Sequence, residues 1–200
     1  YASQSDFQQT NVVDASGEGL GGVTEFFKHR AVLPFTGSYA EFEHVLQHEM
    51  VHQFQYDTWS RGRAGGGLAT IIAINPPLWF AEGMAEYLSL GPINPETAMW
   101  LRDASLEGSL PTIEQMTLDP YKYFPYRFGH ALWSYIGERW GDEAVGAILK
   151  ATLGGGVDMP IQPALAPAMR PRFQPRLNPP GPYTRLSAST ATTARRWAAS

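Results

Sequence analysis

Apolar residues recur at intervals of three or four from residue 38 onward, a spacing that predicts an amphipathic helix. Ser38 is the expected N-cap residue of this helix, and Glu41, three positions later, completes a capping box. The apolar stripe is predicted to be the buried face of the helix. It consists of Tyr39, Phe42, Leu46, Met50 and Phe54.

Other segments have patterns typical of strands and of further helices. Residues 23–35 are rich in β-branched and aromatic side chains and are bounded by glycines, which predicts one or two strands. Pro76 and Pro77 favour an extended entry to a second helix. Helices are predicted at residues 78–90, 94–106 and 126–152, the last of them ending in a run of glycines. The expected fold class is α+β, mainly helical, with a small sheet before the first long helix.

The composition changes after residue 152. Half of the 16 prolines lie beyond Gly156, in a segment that also holds six arginines and a single acidic residue, Asp158. Proline interrupts helices and central strands, so residues 153–200 are expected to form a disordered tail rich in proline and arginine. Residues 1–152 are expected to form one folded domain. Because the chain begins at Tyr1 in polar sequence, we expect its native N-terminus to be missing.

Charge and cysteine content exclude several classes of protein. The formal net charge is −4, which argues against a nucleic acid partner because phosphate-binding domains carry a basic excess. The chain has no cysteine, so a disulfide scaffold and thiolate metal sites are excluded. No apolar run approaches the roughly 20 residues that cross a bilayer, so no membrane-spanning segment is expected.

Candidate metal chemistry lies on the first long helix, where His48, Glu49 and His52 form an H-E-x-x-H pattern. A spacing of four places both imidazoles on the same helix face, near enough to bind one ion of the size of zinc. Glu49 points roughly 100° away from His48, so it is expected to flank the metal and to accept a proton from a zinc-bound water. The alternative is a solvated polar face whose histidines bind no metal.

A third ligand is expected on the second helix. Glu82 and Glu86 are one turn apart there, and two like charges at this spacing repel each other. A cation and an imidazole N–H would relieve the repulsion. Glu82 is therefore predicted to be the third zinc ligand, and Glu86 is predicted to accept a hydrogen bond that orients a ligand histidine.

Several weaker patterns have simpler interpretations. Residues 17–22 match the dinucleotide pattern G-x-G-x-x-G, but no strand precedes them and no helix follows, so a loop is expected. His44 lies too far along the helix to share one ion with His48 and His52, and is expected at the cleft rim or the surface. Residues 61–67 are expected to be an ordinary surface loop.

The strand, the H-E-x-x-H helix and the later W-x-x-E-G-x-A-E-Y segment together resemble the gluzincin metallopeptidases, specifically the bacterial peptidase MA-like domain. The resemblance covers residues 26–152. It implies a zincin-like, or thermolysin-like, catalytic domain with one zinc ion held by His48, His52 and Glu82. It also implies that Glu49 is the general base and that Glu86 matches the acid that orients a ligand. The proline-rich segment after Thr152 departs from the family pattern.

The resemblance has further implications. Gluzincins commonly present a tyrosine or histidine to the developing oxyanion, and Tyr123, Tyr126 and His130 are the candidates, of which Tyr126 is preferred. Residues 29–35 match the strand that binds substrate in extended form. A further domain such as a β-propeller and an exported or envelope-associated location are expected by analogy.

The expected function is a zinc-dependent peptidase that acts on a peptide or protein substrate. Two alternatives are open at this point. One is a non-catalytic binding or scaffold module of a larger cell-envelope protein, in which zinc only joins two helices. The other is a fold that binds no metal.

Overall fold

Two short antiparallel strands precede the long helices. The computed structural model describes residues 1–9, 21–25, 30–61 and 75–154. After a short helix α1 (Gln4–Gln8), strands β1 (Val23–Glu25) and β2 (Arg30–Val32) pair with Val23 opposite Val32. The described residues are otherwise mainly helical, which confirms the predicted α+β class with a small sheet in front.

The helices begin and end close to the positions that the sequence indicates. Asn94 caps the helix that begins at Pro95, because its side chain accepts a hydrogen bond from the Thr97 N–H at 2.9 Å. The Thr112 side chain and Gln115 form a capping box on a short helix that the sequence analysis missed. The helices are α2 (Tyr39–Arg61), α3 (Leu78–Leu90), α4 (Pro95–Leu106), α5 (Ile113–Leu118), α6 (Pro125–Trp140) and α7 (Asp142–Ala151), and a 3₁₀ turn follows (Thr152–Gly154).

The single helix predicted over residues 126–152 is wrong. Gly141 separates α6 from α7, with φ at +84°, a value that favours glycine. Its N–H donates to the Gly137 carbonyl at 2.8 Å, which closes α6, and α7 then begins at Asp142. The hydrophobic pattern continues across this break because both helices bury apolar residues in the same core.

The predicted buried face of α2 is also wrong. Tyr39 and Phe54 are 83% and 65% exposed, Leu46 and Met50 are exposed as well, and Phe42 is only half-buried. The buried face instead carries His48, Glu49, His52, Gln55 and Trp59. Helix α3 packs against α2 and offers hydrogen-bond partners to His48, His52 and Gln55, so their burial is favourable.

The main core lies between α3, α6 and α7. Its largest buried side chains include Phe80, Met84, Trp133 and Ile136. Helices α3 and α6 approach each other so closely that a Cβ added to Gly83 would lie 2.4 Å from the Gly129 carbonyl carbon. This contact fixes the position of α3, the helix that carries Glu82 and Glu86.

The remaining sequence predictions fall largely outside the described residues. The tail from residue 155, residues 17–20 of the glycine pattern and residues 62–67 of the surface loop are not described. Helices of the described part all lack either the length or the apolar content needed to span a membrane.

Candidate metal centre

Three polar side chains from α2 and α3 meet at one point. His48 Nε2 lies 3.0 Å from Glu82 Oε2, and His52 Nε2 lies 3.1 Å from the same oxygen. The two Nε2 atoms are 3.2 Å apart. These are the three ligands predicted from the sequence, and the structure brings them together.

The outer hydrogen bonds of the two imidazoles define their tautomers. His48 Nδ1 lies 3.0 Å from Glu86 Oε1, and His52 Nδ1 lies 2.9 Å from Gln55 Oε1. Both partner oxygens only accept, so each Nδ1 must carry the proton. Gln55 is oriented by its own amide N–H, which donates to the Ala81 carbonyl at 3.0 Å. In the neutral rings both Nε2 lone pairs therefore point at the Glu82 carboxylate.

The lone pairs and the carboxylate repel each other. The arrangement is therefore unfavourable unless a proton or a cation lies between the Nε2 atoms and the carboxylate oxygen. A four-coordinate zinc ion with ligand bonds of about 2.0–2.1 Å places neighbouring ligands about 3.3 Å apart, close to the spacing seen here. His48 and His52 are each 7% exposed, so water cannot fully solvate the cluster. The two histidines and Glu82 thus form a site that could hold a divalent metal ion.

The charges and hydrogen bonds of the cluster shift the pKa values of its members. Burial lowers the pKa of His48, but hydrogen bonds and the charges of Glu82 and Glu86 outweigh burial and raise that pKa to about 9. Burial raises the pKa of Glu82, but the hydrogen bonds from both histidines outweigh it and lower that pKa to about 2. Glu82 is therefore negatively charged near neutral pH, as a metal ligand must be.

Glu49 directly follows His48 on α2 and is outside the ligand set. It is 7% exposed, and its Oε2 accepts a hydrogen bond of 2.6 Å from the Thr24 hydroxyl of β1. A Cβ on Gly22 would lie 3.0 Å from Glu49 Oε1, so this glycine leaves room for the carboxylate. The small sheet thus positions Glu49, a role for Thr24 and Gly22 that the sequence analysis missed.

Tyr126 of α6 contacts His48. Its ring stacks on the imidazole with a centroid distance of 5.7 Å and an interplanar angle of 17°. Burial, together with the charge of Glu82 and a hydrogen bond to it, raises the pKa of the Tyr126 phenol. The phenol therefore keeps its proton and remains a hydrogen-bond donor at the centre.

The two other candidates for that role make different contacts. The Tyr123 ring packs edge-on against Phe128, with centroids 6.4 Å apart. His130 is buried, and its Nε2 lies 2.9 Å from the Gly91 carbonyl. Neither residue belongs to the groups of possible metal ligands among the described residues. Of the three, Tyr126 is the residue in contact with His48.

Glu86 connects the centre to α6. One carboxylate oxygen accepts from His48 and from His44 Nε2 at 3.1 Å, and the other accepts from Arg127 at 2.7 Å. Arg127 also pairs with Glu96 of α4 at 2.8 Å. His44 was expected at the cleft rim, and it is half-buried against Glu86. Together with His48 and Glu86 it forms a second group of possible donors, but Arg127 already neutralises that carboxylate.

Arg127 and Gln55 belong to the site but were not predicted from the sequence. Gln55 is three residues after His52 and so lies on the same helix face, which is a usable local signal. Arg127 is far from the motifs in sequence and has no such signal. His29, the start of the predicted substrate strand, lies outside the described residues.

Comparison of the chain with protein families, with curated proteins and with solved structures finds no match. A functional assignment therefore depends on the chemistry of the site.

Proposed function

We propose that this chain is a zinc-dependent metallopeptidase with a zincin-like catalytic domain, in which His48, His52 and Glu82 bind the metal. The observation that carries the proposal is the convergence of these three donors, together with a buried carboxylate outside the ligand set, Glu49, directly after His48 on α2. A binding or scaffold module that used zinc only to join helices would have no need of such a carboxylate. The resemblance of the two motifs to gluzincin peptidases supports the same function.

The chain's own residues divide the reaction between them. Zinc in such a site supplies Lewis-acid activation of water and of the scissile carbonyl. Glu49 takes a proton from the attacking water and transfers it to the leaving amine, while Thr24 holds the carboxylate in place. Tyr126 donates a hydrogen bond to the oxygen on which negative charge develops. Glu86 fixes the ring orientation of His48.

The experiment compares three substitutions, one of them a control, that are assayed for zinc content and for casein hydrolysis with and without chelator. Glu49→Gln keeps the ligand set and is expected to retain zinc but lose about 10²–10⁴-fold in hydrolysis. Glu43→Gln alters an exposed glutamate of the same helix and is expected to change neither. Glu82→Ala is expected to lose the zinc. An active Glu49→Gln protein, or a Glu82→Ala protein with full zinc content, would refute the assigned roles.

A further inference from the structure

A second group of possible metal ligands lies beside the candidate metal centre. His44 Nε2 lies 3.1 Å from Glu86 Oε1, and His48 Nδ1 lies 3.0 Å from the same oxygen. Each of the three residues offers one donor atom, and these donor atoms lie within 4.8 Å of one another. We call His44, His48 and Glu86 the second donor group. It shares the His48 ring with the metal centre, which uses the other nitrogen of that ring.

The second donor group has the composition of a metal site. Imidazole nitrogen and carboxylate oxygen are both common zinc ligands. His44 is half-buried, so an ion could reach it from solvent, whereas Glu86 is buried. His44 precedes His48 by four residues, so the group continues the donors of the first site by one turn of α2. Donor type and spacing alone would therefore allow a second metal ion.

Arg127 supplies a positive charge at the second donor group. Its Nη1 donates to Glu86 Oε2 at 2.7 Å, and its Nη2 pairs with Glu96 Oε2 at 2.8 Å. The side chain of Glu86 is 4% exposed and that of Arg127 is 13% exposed. A carboxylate so far from water needs a positive partner. A guanidinium is a permanent partner because it does not lose its proton in proteins.

A metal ion would compete with Arg127 for the same carboxylate. The guanidinium and a divalent ion on Glu86 would lie close together and repel each other, with little water to screen the repulsion. A metal ion on Oε1 would also displace the hydrogen bond that orients His48. Arg127 donates to Oε2, so it balances the charge and leaves the contact of His48 with Oε1 in place.

We propose that Arg127 takes the place of a second metal ion. It prevents the second donor group from binding one, so the protein holds a single zinc ion. The inference rests on the metal site of the proposed function and is independent of peptide hydrolysis. It gives Arg127 a role that the proposed reaction does not use. When a neutral residue replaces Arg127, His44 and Glu86 are expected to bind a second zinc ion.

The test counts the zinc ions bound to each chain. Protein is dialysed to equilibrium against a series of buffered free zinc concentrations, and bound zinc is measured by atomic emission. The wild-type protein is expected to bind a single equivalent. Arg127→Gln removes the charge but keeps an amide N–H that can donate to Glu86. Its binding curve is expected to rise to about two equivalents, because His44 and Glu86 then act as ligands.

Three further variants are controls. Arg127→Lys keeps the positive charge and is expected to bind a single equivalent. Glu96→Gln changes the exposed partner of Arg127 and is also expected to bind a single equivalent. His44→Gln, introduced into the Arg127→Gln protein, removes a donor that belongs to the second group alone. It is expected to abolish the second equivalent, which separates a defined site from loose binding elsewhere on the surface.

Several results would overturn the inference. These are a single equivalent in folded Arg127→Gln protein, a second equivalent that persists after His44→Gln, and two equivalents in the wild-type protein. Circular dichroism checks folding, and Arg127→Met is a second neutral variant for the same comparison. His44→Gln in otherwise wild-type protein keeps Arg127 and is expected to retain its zinc. Loss of that zinc would also overturn the inference, because His44 would then belong to the first site.

The outcomes separate this inference from the proposed function. If the wild-type protein binds one zinc ion and Arg127→Gln binds two, but casein is not hydrolysed, the inference is supported and the peptidase function fails. If casein is hydrolysed and both proteins bind one zinc ion, the function is supported and the inference fails. A wild-type protein that binds no zinc would refute both.

Discussion

The close contact between α3 and α6 offers a sharp test of how the site is built. Gly83 follows Glu82 directly in α3, and its Cα faces Gly129 of α6. In Gly83→Ala the new Cβ would lie 2.4 Å from the Gly129 carbonyl carbon and 2.5 Å from its Cα. Both atoms belong to the backbone, so no side-chain rotation can relieve the overlap, and the two helices must separate by about 1 Å to reach ordinary contact distances.

The expected loss of stability follows from two opposing effects. Overpacking of this kind costs about 1–3 kcal/mol, and a backbone contact belongs at the upper end of that range. Replacing glycine by alanine within a helix gains up to about 1 kcal/mol. The net loss is therefore about 2 kcal/mol. For a domain of this size such a loss lowers the melting temperature by about 4–8 °C.

The assay is urea unfolding followed by circular dichroism, combined with zinc titration. Gly146→Ala is the control, because Gly146 lies in helix α7 and a Cβ there meets no atom within 4 Å. This control is expected to be as stable as the wild type or slightly more stable. Gly83→Ala is also expected to weaken zinc binding, since Glu82 moves with α3. A Gly83→Ala protein as stable as Gly146→Ala would refute the close packing of α3 on α6.

Two further predictions concern the metal centre. In metal-free protein the pKa of His48 is about 9, above its ordinary value of 6.5, so its contribution to stability is fully present below pH 6.5. That contribution is lost as the pH rises to 9, and the urea midpoint of chelator-treated protein should fall over this window; a rising midpoint would contradict the assignment. Glu86→Gln removes the charge that faces His48 Nδ1 and is expected to weaken zinc binding about 10–100-fold in competition with a chromogenic chelator. Glu96→Gln, which alters the exposed partner of Arg127, should have little effect, and equal losses in both variants would refute the role of Glu86.

Local sequence was sufficient for the parts of the site that lie within one helix. His48 and His52 share a face because they are four residues apart, whatever the rest of the fold does. The bounds of α3 were predicted correctly, since the two prolines before it act on the backbone nearest to them. The convergence of Glu82 on the two histidines was inferred from charge repulsion and is seen in the structure.

Only the tertiary structure decided which face of α2 is buried. The apolar stripe with Tyr39 and Phe54 is exposed, and the polar face with His48 and Gln55 is inside. The spacing of apolar residues shows that one face of a helix is more apolar than the other. Which face is buried depends on the partners that the neighbouring helix supplies. The contacts of Arg127 with Glu86 and of Thr24 with Glu49 likewise join residues distant in sequence. No local pattern encodes such pairs, because they form only once α3, α6 and the small sheet have packed around α2.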